Sequence, residues 1–302
     1  MKPTQSIPKE LRYTISQFHD EFPTDDACLE YLKEERWPGG ITECAKCGVE
    51  RKHYRVKGRT AYACDHCGHH IYPLAGSIFE KTTTPLRTWF YAIYLMGSTR
   101  CGISAKQIQR ETGVTYKTAW RIFHQVRKLL SDGEQLEGAT VEMDETYMGG
   151  KARRKGRPHR NDKRNRCVIG MVERGHGGRV RAIVSTDGAT RRALHGLAKE
   201  HIMPESTIFT DEWTAYEGLD KLGYRHKRIN HSAGVYVVGT THTNTIEGFW
   251  SLVKRGIGGV YHSVSAKHLQ SYLDEYSFRY NRRHMGNHQF CAILRRVSER
   301  AS

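Results

Sequence analysis

The chain has 302 residues, with 48 Lys and Arg against 32 Asp and Glu, a formal charge of +16. That length supports two or three domains, and the cationic field selects polyanionic partners, nucleic acid first among them. No apolar run approaches the ~20 residues of a membrane span, and the opening residues MKPTQSIPKE lack the apolar core of a signal peptide. The expected setting is therefore the cytoplasm, with no membrane partner, where eight cysteines serve as metal ligands or buried side chains rather than disulfides.

Residues 8–37 read as helical, with Leu11, Ile15, Phe18, Phe22, Leu29 and Leu32 apolar and Pro23 as a break. Residues 1–40 are taken as an N-terminal helical segment. Residues 41–80 change character. Cys44 and Cys47 form one C-x-x-C pair and Cys64 and Cys67 another, with sixteen residues between them and Gly48 and Gly68 directly after. Two such tight turns brought together make a four-sulfur tetrahedron that suits one structural Zn²⁺, closed and without a catalytic position. Tyr54–Val56 and Thr60–Ala63 are the expected strands of a zinc ribbon. His66, His69 and His70 stand nearby, but four thiolates already fill the shell.

Residues 86–132 read as three helices. Ser104 and Gln107 form a capping-box pattern, Gly113 ends that helix, and Thr115 caps the next. Ala119, Ile122 or Phe123, Val126 and Leu129 follow helical spacing, which leaves Lys117, Arg121 and Lys128 on the opposite face beside Gln125. Two short helices around a glycine turn, the second with a basic outer face, are either a helix-turn-helix or an ordinary helical hairpin. The charge of the chain favours DNA binding.

Residues 139–232 alternate β-branched runs with helical stretches, an α/β pattern, within a domain taken as 139–285. Thr140–Tyr147 reads as a strand with Glu142, Asp144 and Thr146 on one face and Val141 and Met143 on the other. An acid in mid-strand disturbs a core unless it binds something. Cys167–Val172 and Val180–Thr186 are the next strands, residues 190–202 a helix, and Thr207–Trp213 a strand ending in acids. Residues 242–255 read as a helix that brings Glu247, Ser251 and Lys254 to one face, with a second helix beyond Gly256, Gly258 and Gly259. Asp144, Asp211 and Glu247 thus come from a strand, a strand end and a helix, and spacing alone leaves them open to being caps or surface groups. Three such acids can hold two Mg²⁺ (or Mn²⁺) ions for in-line displacement at a phosphodiester. Glu142, Glu145, Asp187 and Glu212 are decoys for the same role.

Lys151–Arg166 carries nine Lys or Arg in sixteen residues, including Lys151, Arg153, Arg154, Lys155 and Arg157. Such a stretch contacts DNA phosphates without reading sequence. Arg255, beside Lys254, and the cluster Arg279, Arg282 and Arg283 extend the basic character.

These motifs together resemble the DDE transposases of bacterial insertion sequences. Glu247 follows Asp211 by 36 positions, where that superfamily places its last acid, and Lys254 matches the basic residue two turns later. MDETYMGGK, TDEWTAY and HTNTIEGFWSLVKRGIGGVYHSVSAKHLQSYLDEYSFRYNRR are similar to the ISXO-type branch, which carries an N-terminal zinc ribbon. The resemblance implies a ribonuclease H-like catalytic core, a mixed sheet flanked by helices. It implies an enzyme that binds the terminal inverted repeats of its element, exposes 3′ hydroxyls and joins them to target DNA, acting on double-stranded DNA as at least a dimer when two ends are synapsed. It assigns the metal ligands to Asp144, Asp211 and Glu247, with His242 and Asn244 close by. A zinc-ribbon and helix-turn-helix regulator without catalysis, or a hydrolytic ribonuclease H-like nuclease, are the competing expectations.

Overall fold

The computed structural model describes residues 8–99, 101–148, 166–229 and 244–299. The basic stretch with Lys151, Arg153, Arg154, Lys155 and Arg157, and His242, lie outside the described residues. The chain divides into two compact units, Met1–Leu129 with Met285–Ser302, and Leu130–His284.

The first unit is helical around an aromatic core. Helix α1 (Ile15–Glu21) starts with a capping box between Thr14 and Gln17, and α2 (Asp25–Arg36) is capped by Thr24 after the break at Pro23. Three short antiparallel strands follow, β1 (His53–Arg55), β2 (Tyr62–Cys64) and β3 (His70–Ile71). The first two are displaced by one or two residues from the expected ones, and β3 had no sequence expectation. Helices α3 (Leu86–Ser98), α4 (Ala105–Thr112) and α5 (Tyr116–Lys128) occupy the predicted region. Ser104 accepts from the Gln107 amide and Gly113 closes α4 in the left-handed conformation. The Gln107 side chain donates to Glu111 instead of reaching back, so only half of the expected capping box forms. Both Ile122 and Phe123 are buried. The unpredicted α9 (Gln289–Glu299) packs on α3 so closely that a Cβ on Gly97 would lie 2.8 Å from the Phe290 nitrogen.

The second unit is a five-stranded mixed sheet in the order β6-β5-β4-β7-β8. Strand β4 (Thr140–Met148) pairs antiparallel with β5 (Arg166–Glu173), which pairs antiparallel with β6 (Val180–Ser185). On its other side β4 runs parallel to β7 (Thr207–Thr210), and β7 parallel to β8 (Arg225–Arg228). Helix α6 (Arg191–His201) covers one face over Val141, Met143, Ile169 and Met171. Helices α7 (Asn244–Gly256) and α8 (Leu269–Asn281) cover the other, with Ile246, Phe249, Trp250, Leu273 and Tyr276 against Val168 and Val172. Strand β5 is buried on both faces, which is why it reads as a continuous apolar run. This is the ribonuclease H-like arrangement that the resemblance implies.

Edge strand β6 is closed by amide side chains of α8. Asn281 accepts from the Val180 amide at 2.7 Å and donates to the Val180 carbonyl at 3.1 Å. Gln270 does the same to Val184 and Ala182 at 2.8 and 3.0 Å. Two side chains thereby satisfy the backbone that an open edge would expose. Asn281→Ala should cost about 1–3 kcal/mol, because Val180 keeps a buried amide without a partner. Amide hydrogen exchange should accelerate at Val180 and leave β4 protected.

Candidate functional site

The zinc ribbon is built by two matching turns. The Gly48 amide donates to the Cys44 carbonyl and the Gly68 amide to the Cys64 carbonyl. Both glycines take positive φ, 62° and 69°, a conformation open to glycine at little cost. All four sulfurs lie within 4.8 Å of one another. Cys44 and Cys67 are 3.5 Å apart and Cys47 and Cys64 4.0 Å, bracketing the roughly 3.8 Å edge of a tetrahedron with Zn–S bonds of about 2.3 Å. Backbone amides of Cys47 and Lys46 aimed at the Cys44 sulfur hold that thiol down at about 5, while burial and the neighbouring sulfurs push Cys47 up to about 12. A cation resolves that crowding, and the donor set suits structural zinc.

Asp144 sits mid-strand in β4, on the face covered by α7. Its Oδ2 accepts from the indole N–H of Trp250 at 2.9 Å. Burial pushes its carboxyl up to about 7; the Trp250 bond opposes that shift, and the charges of Glu145 and Asp211 add to it. Asp211 follows the last residue of β7. Its Oδ1 accepts from the Trp213 amide at 3.0 Å, a turn that stops the strand at Thr210 rather than at the expected Trp213. Because β4 and β7 are parallel with Glu142 opposite Phe209, Asp144 and Asp211 continue the same row two residues on. Glu247 is exposed in the first turn of α7, one turn before Trp250. Ser251, Lys254 and Arg255 are also exposed. Among the described residues, only the cysteines form a group of ligand atoms within 4.8 Å. Asp144, Asp211 and Glu247 do not form such a group.

The decoys have other employment. Glu145 accepts from the hydroxyl of fully buried Tyr216 at 2.7 Å, on the face away from α7. Glu142, with no exposed surface, accepts from Arg174 Nε at 2.8 Å, from the Thr245 amide and hydroxyl at 3.0 and 2.9 Å, and from the Ile246 amide at 2.9 Å. Sequence reasoning missed Trp250, and Gly170, which pairs with Asp144. A Cβ on Gly170 would sit inside the Trp250 ring and 2.8 Å from Ile246 Cδ1. A glycine within a strand opposite an acid is the signal that would have found this close approach.

Of the basic expectations, Lys117, Arg121 and Lys128 are exposed on α5, with Trp120 and Tyr116 also exposed beside them. The cluster at the end of α8 is corrected: Arg279 is buried and paired with Glu275 at 2.7 Å, and Arg282 is paired with Asp132 at 3.3 Å. The Glu275 partner of Arg279 lies four residues earlier on α8, an i,i+4 pair open to a sequence reading, whereas Asp132, the partner of Arg282, is 150 positions away.

Two outcomes follow from this geometry. Elemental analysis of freshly purified protein should give one zinc per chain, and Cys47→Ser should abolish it. Asp144, raised in the folded state from 3.8 to about 7, binds its proton more tightly folded than unfolded, so its contribution to stability is lost as pH rises from about 4 to 7. Asp144→Asn should therefore be more stable than wild type without added divalent metal, by up to the order of 4 kcal/mol above pH 7. Thermal melts at pH 5 and pH 8 should show that margin widening with pH; a constant margin contradicts the cause given.

Residues 135–281 match the ISXO2-like transposase domain, and residues 23–70 match the transposase zinc-ribbon domain. An uncharacterized protein in transposable element ISH50 of Halobacterium salinarum is 30% identical over 279 residues, covering 85% of this chain and 91% of that protein. An uncharacterized transposase-like protein of Haemophilus influenzae is 31% identical over 85 residues, 28% of this chain and 68% of that protein. No helix among the described residues is long and apolar enough to cross a membrane. With its mixed five-stranded sheet and its four-cysteine ribbon, the chain belongs to the ISXO2-like DDE transposases that carry an N-terminal transposase zinc ribbon.

Proposed function

We propose that this protein is an active transposase that binds the terminal inverted repeats of its element, cleaves to expose 3′ hydroxyl ends and joins them to target DNA. Asp144, Asp211 and Glu247 hold two Mg²⁺ (or Mn²⁺) ions in this reading. The observation that carries it is the bond from Trp250 to Asp144, which ties the helix bearing Glu247 to the strand bearing the first acid. The raised carboxyl of Asp144 supports the same assignment, since a buried acid crowded by Glu145 and Asp211 gains from a cation. Divalent ions held there by Asp144, Asp211 and Glu247 would supply activation of the attacking oxygen and stabilisation of the leaving one.

The chain's own residues supply the positioning. Trp250 orients the Asp144 carboxylate and excludes water from one side of it. Lys254 and Arg255, exposed on the helix that carries Glu247, contact phosphates flanking the scissile bond. Lys117, Arg121 and Lys128 on α5 face the DNA end as a helix-turn-helix would. Lys151, Arg153, Arg154, Lys155 and Arg157 add salt-sensitive phosphate contacts. The working division is a helical segment (1–40), a zinc ribbon (41–80), a helix-turn-helix (86–132) and a catalytic domain (139–285). At least a dimer acts when two ends are synapsed, in a bacterial cytoplasm at the nucleoid.

Purified protein, Mg²⁺ and duplex DNA bearing the element's ends should yield joined strand-transfer product. Ala at Asp144, Asp211 or Glu247 should lower its rate about a thousandfold or more, the several kcal/mol that catalytic metal supplies. Nicks without joined product would make it a hydrolytic nuclease. Specific binding without metal-dependent cleavage would make it a regulator.

A further inference from the structure

The carboxylate of Glu142 lies two residues from Asp144 on the same face of β4, yet every direction around it is taken. Its Oε1 accepts from Arg174 Nε and the Thr245 hydroxyl, and its Oε2 from the amides of Thr245 and Ile246. A carboxylate offers about four lone-pair directions, so four donors leave no oxygen for an ion. Burial without such donors would be prohibitive for a charged group. Two of these donors are amides of the first turn of α7, which have no acceptor within their own helix. A negative charge there also meets the favourable end of the helix dipole. Glu142 therefore acts as an N-terminal cap delivered from another element, 103 positions away from Thr245 in the chain.

The residue after Ile246 is Glu247. Three residues further on, Trp250 makes the second polar tie, to Asp144. The turn that carries Glu247 is thus fixed at both ends to β4, once through Glu142 and once through Asp144. Resting on the metal-site reading above, we infer that Glu142 is a positioning residue. It sets the height and rotation of Glu247 over Asp144 and so sets the affinity of the site for divalent cations, without touching them. A residue that orients a ligand in this way is commonly worth 10–100-fold in metal affinity. A cap that serves only folding would change the melting temperature and leave metal affinity alone.

The full-length, zinc-loaded protein should be titrated with Mn²⁺ and free ion followed by electron paramagnetic resonance, for wild type, Glu142→Gln and Thr245→Val. Gln at 142 turns donors of its own toward two amides that are themselves donors. Val at 245 removes one hydroxyl bond and keeps the branched shape, so it reports even where Glu142→Gln does not fold. The Kd for Mn²⁺ should rise about 10–100-fold in Glu142→Gln and about fivefold in Thr245→Val, with circular dichroism and zinc content unchanged. The Mg²⁺ concentration for half-maximal strand transfer should move in parallel, with much of the rate recovered at saturating metal. A Kd within twofold of wild type in a folded Glu142→Gln, or in Thr245→Val where the former does not fold, overturns the inference alone. Wild-type protein that binds no Mn²⁺ overturns the metal-site reading and the inference with it.

Discussion

Helix α7 is held on strand β4 by two polar ties that run in opposite directions. The strand offers the carboxylate of Glu142 to the helix, and the helix offers the indole N–H of Trp250 to Asp144. Apolar packing alone, with Ile246, Phe249 and Val253 against β5, would hold the helix but tolerate sliding, because dispersion contacts have little directionality. Hydrogen bonds to charged groups lose strength steeply with misalignment. The ties therefore convert a greasy interface into one register, and everything on the exposed side of α7, from Glu247 to Arg255, inherits its place from it.

That register requires empty space as much as contact. Trp250 reaches Asp144 only because Gly170, the partner of Asp144 on β5, has no side chain. Gly256 does the same at the far end of α7, where a Cβ would run into the Tyr276 hydroxyl. The indole then covers one side of Asp144 and helps to bury it, which is also the first cause of its raised carboxyl. The same ring thus places the acid and, through its N–H, opposes part of the rise that burial causes. A fold under no functional demand would put an apolar residue at 144 and gain stability, whereas here a strand centre carries a group that repels Glu145 and Asp211.

Much of this was legible in the residues, for reasons that are local. The cysteine pairs announce their turns through the glycines that follow. The caps Ser104 and Thr115, the periodic faces of α5 and α7, and the doubly buried run of β5 all write their structure into adjacent positions. Strand β8 did not, because Arg225–Arg228 is a basic edge strand with three exposed residues and no apolar alternation. Helix α9 was legible but overlooked: Phe290, Ile293, Leu294 and Val297 have helical spacing, and all are buried. The capping role of Glu142 was beyond a local reading, since Arg174 is 32 positions away and Thr245 is 103. The same holds for Arg282, whose partner Asp132 is 150 positions away.

The four thiols and the proposed acid site differ in how far their ligands are preorganised. The thiols are gathered within 4.8 Å by backbone turns, and the amides of Lys46 and Cys47 already stabilise the Cys44 thiolate, so crowding is offset before any ion arrives. The three acids come from separate elements, β4, the end of β7, and α7, and Asp144 has one side-chain donor, Trp250, against the repulsion of its neighbours. A structural ion wants the first arrangement, complete and shut. Divalent ions that must share their coordination with a phosphodiester want the second, with protein oxygens on one side only. On the proposed reading, the wider spacing of Asp144, Asp211 and Glu247 suits that task, and the filled carboxylate of Glu142 is what would hold α7 in register.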